Sequence, residues 1–190
     1  LYIAKNKLNN IDIAEQIALL APTGRASKKM SVSTNLPAST IHRYLKWNKE
    51  TDSFMVNENN KNIQKLIIVD EVSMVDTNLF ASLLKGINKY VKLVLVGDSF
   101  QLPSVGPGYV LHDLIESEYF NFIPLKTIYR QSDNSYIPYL ARDIKLKELN
   151  EEFTNKRDDY NFIVSDDKDI NSLIKQIVIS GIKKGYNENN

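Results

Sequence analysis

Two short apolar runs in this chain end in side chains able to do chemistry. Leu66-Ile67-Ile68-Val69 delivers two adjacent carboxylates, Asp70 and Glu71, to one point. One such carboxylate can hold Mg²⁺, directly or through water, while its neighbour orients or deprotonates an attacking water. Leu93-Val94-Leu95-Val96 delivers Gly97-Asp98-Ser99-Phe100-Gln101, in which Gly97 permits a tight turn and Gln101 lies three residues beyond Asp98. A glutamine amide can donate to a phosphate oxygen and accept from a water, so it can report which nucleotide is bound. Each signal alone has a plain structural counterpart. Asp70-Glu71 also reads as a solvated acidic turn, and Gln101 as an exposed residue after a Gly-Asp turn.

These groups need elements that bring them to one place. Parallel strands buried on both faces read as short continuous apolar runs. Three runs fit: Ile17–Ala21, Leu66–Val69 and 93–96. Each ends in a polar turn, Pro22-Thr23-Gly24-Arg25, Asp70-Glu71 or Gly97-Asp98. Between the second and third, Leu79, Leu83 and Ile87 recur every four residues, with Phe80 and Leu84 beside them, and predict a helix. Strand, helix, strand over that length is a βαβ unit, so the expected fold is α/β with a parallel sheet. Ligands in such sheets bind outside the carboxyl ends of the strands, where the unusual polar residues of this chain fall.

Residues 46–62 are polar and asparagine-rich and read as a surface excursion, a hairpin being one form it can take. Helical patterns follow at 111–116, from Ile137 through Leu140, Ala141 and Ile144, and at 170–182. A weak strand is predicted at 160–164 and a frayed tail at 183–190. The expected domain boundary lies near Tyr119, giving units 1–119 and 120–190.

Composition narrows the function classes. The net charge is +1, so a polyanion would have to meet a local patch and not a basic surface overall. With no cysteine, a disulfide framework, a thiolate zinc site and a cysteine nucleophile are excluded. Two histidines make a histidine-rich metal site improbable. No apolar run approaches a membrane span, and no signal-peptide pattern opens the chain, so an intracellular, cytoplasmic protein is expected.

Taken together, the motifs resemble those of superfamily 1 DNA helicases of the RecD/TraA type. Asp70-Glu71-Val72-Ser73-Met74-Val75-Asp76 is similar to motif II, the Walker B segment. Gly97-Asp98-Ser99-Phe100-Gln101-Leu102-Pro103-Ser104-Val105-Gly106 is similar to motif III. Ala21-Pro22-Thr23-Gly24-Arg25-Ala26-Ser27 looks like motif Ia, Ser39-Thr40-Ile41-His42-Arg43-Tyr44-Leu45 like the family's T-I-H-R segment, and Leu125-Lys126-Thr127-Ile128-Tyr129-Arg130-Gln131 like motif IV. The resemblance covers roughly residues 17–131 and is loose beyond Arg130. It implies a RecA-like sheet of the P-loop NTPase type, followed by the start of a second such domain.

The resemblance also implies roles. Asp70 would hold Mg²⁺, Glu71 would be the catalytic base, and Gln101 would sense the γ-phosphate of ATP. Arg130 would reach that phosphate across a cleft as an arginine finger, a task suited to a permanently charged fork of donors. Thr23, Gly24, Arg25, Thr40, His42 and Arg43 would contact single-stranded DNA. Plain counterparts exist here as well: a hydroxyl of Ser39 or Thr40 can serve as a helix cap, and His42 can be a structural residue. Trp47, the single tryptophan, reads as core or loop packing more readily than as a base-stacking platform.

The family's phosphate-binding loop, ending in Gly-Lys-Thr or Gly-Lys-Ser, does not occur among these residues. With Leu1 in place of a methionine, that suggests a fragment. The isolated 190 residues are therefore expected not to hydrolyse ATP, while the full-length protein is expected to be a 5′-to-3′ helicase. It would stand alone or act as the α chain of an exodeoxyribonuclease V-type complex with other subunits. Two alternatives stay open: a degenerate module that binds DNA or a partner without hydrolysis, and the motor part of a conjugative relaxase-helicase.

Overall fold

The computed structural model describes residues 15–125 and 135–186. Contacts divide the chain into two units, 1–124 and 125–190. In chain order the first unit runs β1 (Ile17–Ala21), α1 (Gly24–Thr34), β2 (Ala38–Thr40) and α2 (Ile41–Tyr44). A hairpin of β3 (Trp47–Asn48) and β4 (Ser53–Phe54) follows, then β5 (Leu66–Val69), α3 (Thr77–Gly86), β6 (Lys92–Leu95) and α4 (Val110–Glu116).

Four strands pair in parallel in the order β2-β1-β5-β6, meeting the expectation of an α/β fold with a parallel, RecA-like sheet flanked by helices. Side chains alternate across a strand, so the two central strands, β1 and β5, feed two cores. Ala18, Leu20, Ile67 and Val69 point to one face, where Leu79, Leu83 and Ile87 pack with Ile41, Leu45 and Leu111. Ile17 and Leu19 point to the other, joining Leu36 with Met30, Leu66 and Ile68 around it. β1 is buried at every position because it has a strand on both sides and helices over both faces.

The third apolar run departs from expectation. β6 spans Lys92–Leu95 and is buried on neither face throughout; Val94 and Val96 are 44% and 41% exposed. It is an edge strand of the described sheet, so an apolar run there was no sign of two covered faces.

The polar excursion at 46–62 does contain a hairpin, with Trp47 opposite Phe54 and Asn48 opposite Ser53. In the second unit the described elements are a helix α5 (Ile137–Leu146), a 3-10 turn Glu151–Thr154, and a helix α6 (Ile170–Lys183). The strand predicted at 160–164 does not form. A strand needs a neighbour to complete its ladder, and the described residues of this unit include no other strand. Instead Arg157 and Tyr160 exchange backbone hydrogen bonds in a tight turn, and Phe162 packs its ring against Phe153 at 4.9 Å. Lys183 is helical and not part of a frayed tail. Asp159 accepts from the Ser135 hydroxyl and the Tyr136 amide, and these bonds, the hydroxyl first, lower its pKa from the ordinary value. Among the described residues, no helix is long and apolar enough to cross a membrane.

Candidate active site at the carboxyl edge of the sheet

Register sets the site. Leu20 lies opposite Val69, Val69 opposite Leu95, and Ala21 opposite Thr40. The residues that follow these positions therefore leave one edge of the sheet together. They include Thr23 and Gly24 after β1, Asp70 and Glu71 after β5, and Gly97 after β6. Thr40 ends β2 at the same edge.

The chain beyond β5 stays laced to both neighbours. The Asp70 amide donates to Leu20 O at 2.9 Å, Val96 N–H to Val69 O at 2.8 Å, and Val72 N–H to Val96 O at 3.0 Å. Asp70 Oδ1 accepts from the Glu71 amide at 2.9 Å. Glu71 then adopts φ 55°, ψ 41°, left-handed backbone that a residue with a Cβ rarely takes. Among the described residues, the other non-glycine positions with positive φ either follow helices or sit in the hairpin turn; Glu71 sits between a buried strand and a 3-10 turn, Val72–Met74. Strained backbone of this kind costs about 1–3 kcal/mol and persists only where its surroundings over-determine it. Spacing gave no sign of this feature.

Gly97 is at the predicted place for a different reason. It is not among the positive-φ glycines. A Cβ there would lie 2.9 Å from Leu111 Cδ2, 3.1 Å from Val72 N and 3.3 Å from Ser73 N. Gly97 is small because the segment after β6 crosses directly against the turn that follows Glu71. Further along, Gly106 abuts the carboxylate of Asp76, which caps α3 by accepting from Leu79 N at 2.8 Å. Thr77 N–H donates to Pro107 O at 3.0 Å. Asp76 was not singled out from sequence, although an Asp before a helical pattern is a recognisable cap signal.

Gln101 is exposed and follows a turn in which its backbone N–H donates to Asp98 O at 3.1 Å; the residue lines a small cleft with Ser73. Asp70 and Glu71 are half-buried, and neither forms an ion pair among the described residues. Two adjacent oxygen donors without a cationic partner are a set that a hard divalent ion accepts.

Thr23 and Thr40 both serve as helix caps. Thr23 Oγ1 accepts from Ala26 N at 3.2 Å and Thr40 Oγ1 from Arg43 N at 3.2 Å. An accepting hydroxyl keeps its own proton for another partner, so capping leaves each able to donate to a phosphate. Arg25 and Arg43 are exposed and without ion pairs among the described residues. His42 lies against rings, 5.7 Å from Phe54 and 6.3 Å from Trp47, while Trp47 and Phe54 are 4.7 Å apart. Trp47 thus packs on the hairpin, as expected of a loop residue, while keeping 38% of its surface exposed. Arg130 lies outside the described residues.

Residues 2–107 match the family model described as an AAA domain. The chain is 38% identical over 118 residues to RecBCD enzyme subunit RecD of Mycolicibacterium smegmatis, covering 53% of this chain and 21% of that protein. It is 37% identical over 137 residues to the ATP-dependent RecD2 DNA helicase of Deinococcus radiodurans, covering 70% of this chain and 19% of the relative. The chain therefore spans about a fifth of the length of these curated relatives. Among solved structures, Bacteroides Pif1 bound to single-stranded DNA aligns with 90% of this chain and 47% of its own, at 18% identity and a TM-score of 0.49.

Proposed function

This chain belongs to the AAA domain family, and from that premise we propose that it is part of an ATP-driven motor that translocates along single-stranded DNA. The named relatives, a RecBCD subunit and an ATP-dependent DNA helicase, support this reading for the full-length protein. A RecD-like 5′-to-3′ helicase, alone or in an exodeoxyribonuclease V-type complex, is its finer form.

The observation that carries the proposal is the conjunction at one sheet edge of Asp70, a strained Glu71 and the Gly97–Gln101 segment. Asp70 is the proposed holder of Mg²⁺, which when bound with ATP supplies charge neutralisation on the phosphates. Glu71 is fixed by its left-handed backbone and takes the proton of the attacking water. Gln101 senses the γ-phosphate from the cleft beside Ser73. Arg130 is proposed to complete the charge stabilisation. The phosphates also need a cradle of backbone amides and a lysine, which residues 1–190 do not contain in Gly-Lys-Thr/Ser form. The isolated 190 residues are accordingly proposed to be inactive. Arg25 and Arg43, beside the two capping threonines, form the proposed DNA-facing margin.

Glu71→Gln in the full-length protein tests the assignment. It keeps the side chain's size and removes its basicity. Turnover should fall by about 10²–10⁴-fold while nucleotide binding persists. Near wild-type turnover would make the acidic pair structural and refute this edge as the hydrolytic centre.

A further inference from the structure

Among the described residues, one buried side-chain polar atom lacks a hydrogen-bond partner: Ser73 Oγ. Ser73 lies in the 3-10 turn two residues beyond Glu71. A buried hydroxyl left without a hydrogen-bond partner is destabilising, so such an atom asks for a partner in the working protein. The same residue lines a small cleft whose other polar side chains are Ser99, Gln101, Tyr109 and His112. Its free volume is about 30 Å³, and a water needs roughly 10–15 Å³ of such space and two or more polar partners. The cleft therefore suits a water.

His112 is the weaker claimant to that water. Its side chain is 56% exposed, and its Nδ1 lies 3.7 Å from Asp113 Oδ1. Gln101 brings both a donor and an acceptor on one amide. Its backbone is already turned by the bond from Gln101 N–H to Asp98 O. Backbone contact also holds the two segments together, since Gly97 packs against the amides of Val72 and Ser73. A water between Ser73 and Gln101 would extend that contact to the side chains.

We propose that the cleft seats an ordered water shared by Ser73 Oγ and the Gln101 side chain, making Ser73 a positioning residue for Gln101. The proposal rests on the hydrolytic reading of Glu71 and Gln101 given above. Ser73 touches neither nucleotide nor metal in it. The water fixes which end of the amide faces outward, and so ties the orientation of Gln101 to the turn that carries Glu71.

The test is a double-mutant cycle in the full-length protein, with DNA-stimulated ATP turnover and KM for ATP measured on Ser73→Ala, Gln101→Ala and the double variant. Ser73→Ala should lower kcat about three- to tenfold, the range one net hydrogen bond supplies. KM should change less than twofold. The double variant should be no slower than Gln101→Ala alone, because the water then has nothing to position. Ser73→Thr, which keeps the hydroxyl, should recover turnover. Multiplying effects in the double variant, or unchanged kcat in Ser73→Ala, overturn the proposal. A Glu71→Gln arm keeps the two readings apart. If that variant still turns over, the hydrolytic reading has failed; if it is dead while the Ser73 and Gln101 effects multiply, only the positioning role has. Should Ser73→Ala not fold, a high-resolution crystal structure of the wild-type protein decides. Density for a water bonded to both side chains supports the proposal, and a dry cleft overturns it.

Discussion

Replacing Gly97 with alanine probes how the two acid- and glutamine-bearing segments are locked together. The added Cβ would meet Leu111 Cδ2 at 2.9 Å, Val72 N at 3.1 Å and Ser73 N at 3.3 Å. The first contact is the end of a flexible side chain and can be relieved by a rotation. The other two are backbone. They cannot retreat freely, because Val72 N–H is bonded at 3.0 Å to the carbonyl of Val96, the residue just before the substitution. Relief requires the turn to shift by a few tenths of an ångström, and over-packing of this kind costs about 1–3 kcal/mol. Gly24→Ala is the internal control for stability. Nothing lies within 4 Å of its Cβ position, at the first residue of α1. Alanine is the better helix former by up to about 1 kcal/mol, so that variant should be neutral or slightly stabilised. Urea unfolding of the full-length protein followed by circular dichroism, with ATP turnover beside it, gives the comparison. Gly97→Ala should lower the midpoint and depress turnover beyond what the loss of stability explains, since the displaced atoms adjoin Glu71. If Gly97→Ala matches wild type in both measurements, close approach does not constrain this position and the locking argument fails.

Arg25→Ala and Arg43→Ala should each weaken single-strand binding and flatten its salt dependence by about 0.7 in log–log slope, the share of one phosphate contact. Binding curves at several salt concentrations read this directly; slopes parallel to wild type would remove these arginines from the DNA margin. A pH effect follows from Tyr44. Burial pushes its hydroxyl up to about 12 from an ordinary 10.0, with the Asn62 side chain opposing the shift. The unfolded chain releases that proton first, so Tyr44 contributes fully below pH 10 and its contribution is lost as pH rises through about 12. Unfolding midpoints of Tyr44→Phe should fall less steeply than wild type across that window, and an unchanged alkaline profile would exclude the phenol as the source.

Much of this protein was legible in one dimension because strand and helix periods are local properties. The runs 17–21 and 66–69, the helix carrying Leu79 and Leu83, and the acids of Asp70-Glu71 could each be placed from neighbouring residues alone. A parallel sheet then forces the ends of its strands to one edge, so the placement of Pro22, Asp70 and Gly97 followed from topology. Thr40 as a helix cap was legible for the same local reason. What the sequence could not supply was anything resting on contact between distant segments. It placed Gly97 in a turn, whereas the need for glycine arises from Val72 and Ser73, some 24 residues earlier. It read 93–96 as doubly buried, but burial depends on which strand and helix lie beside β6. It predicted a strand at 160–164, where no partner strand exists among the described residues of that unit. The left-handed backbone of Glu71 and the orphaned hydroxyl of Ser73 were invisible for the same reason. Residue types and spacing determined which groups could do chemistry, while packing between segments far apart in the chain decided how each is held.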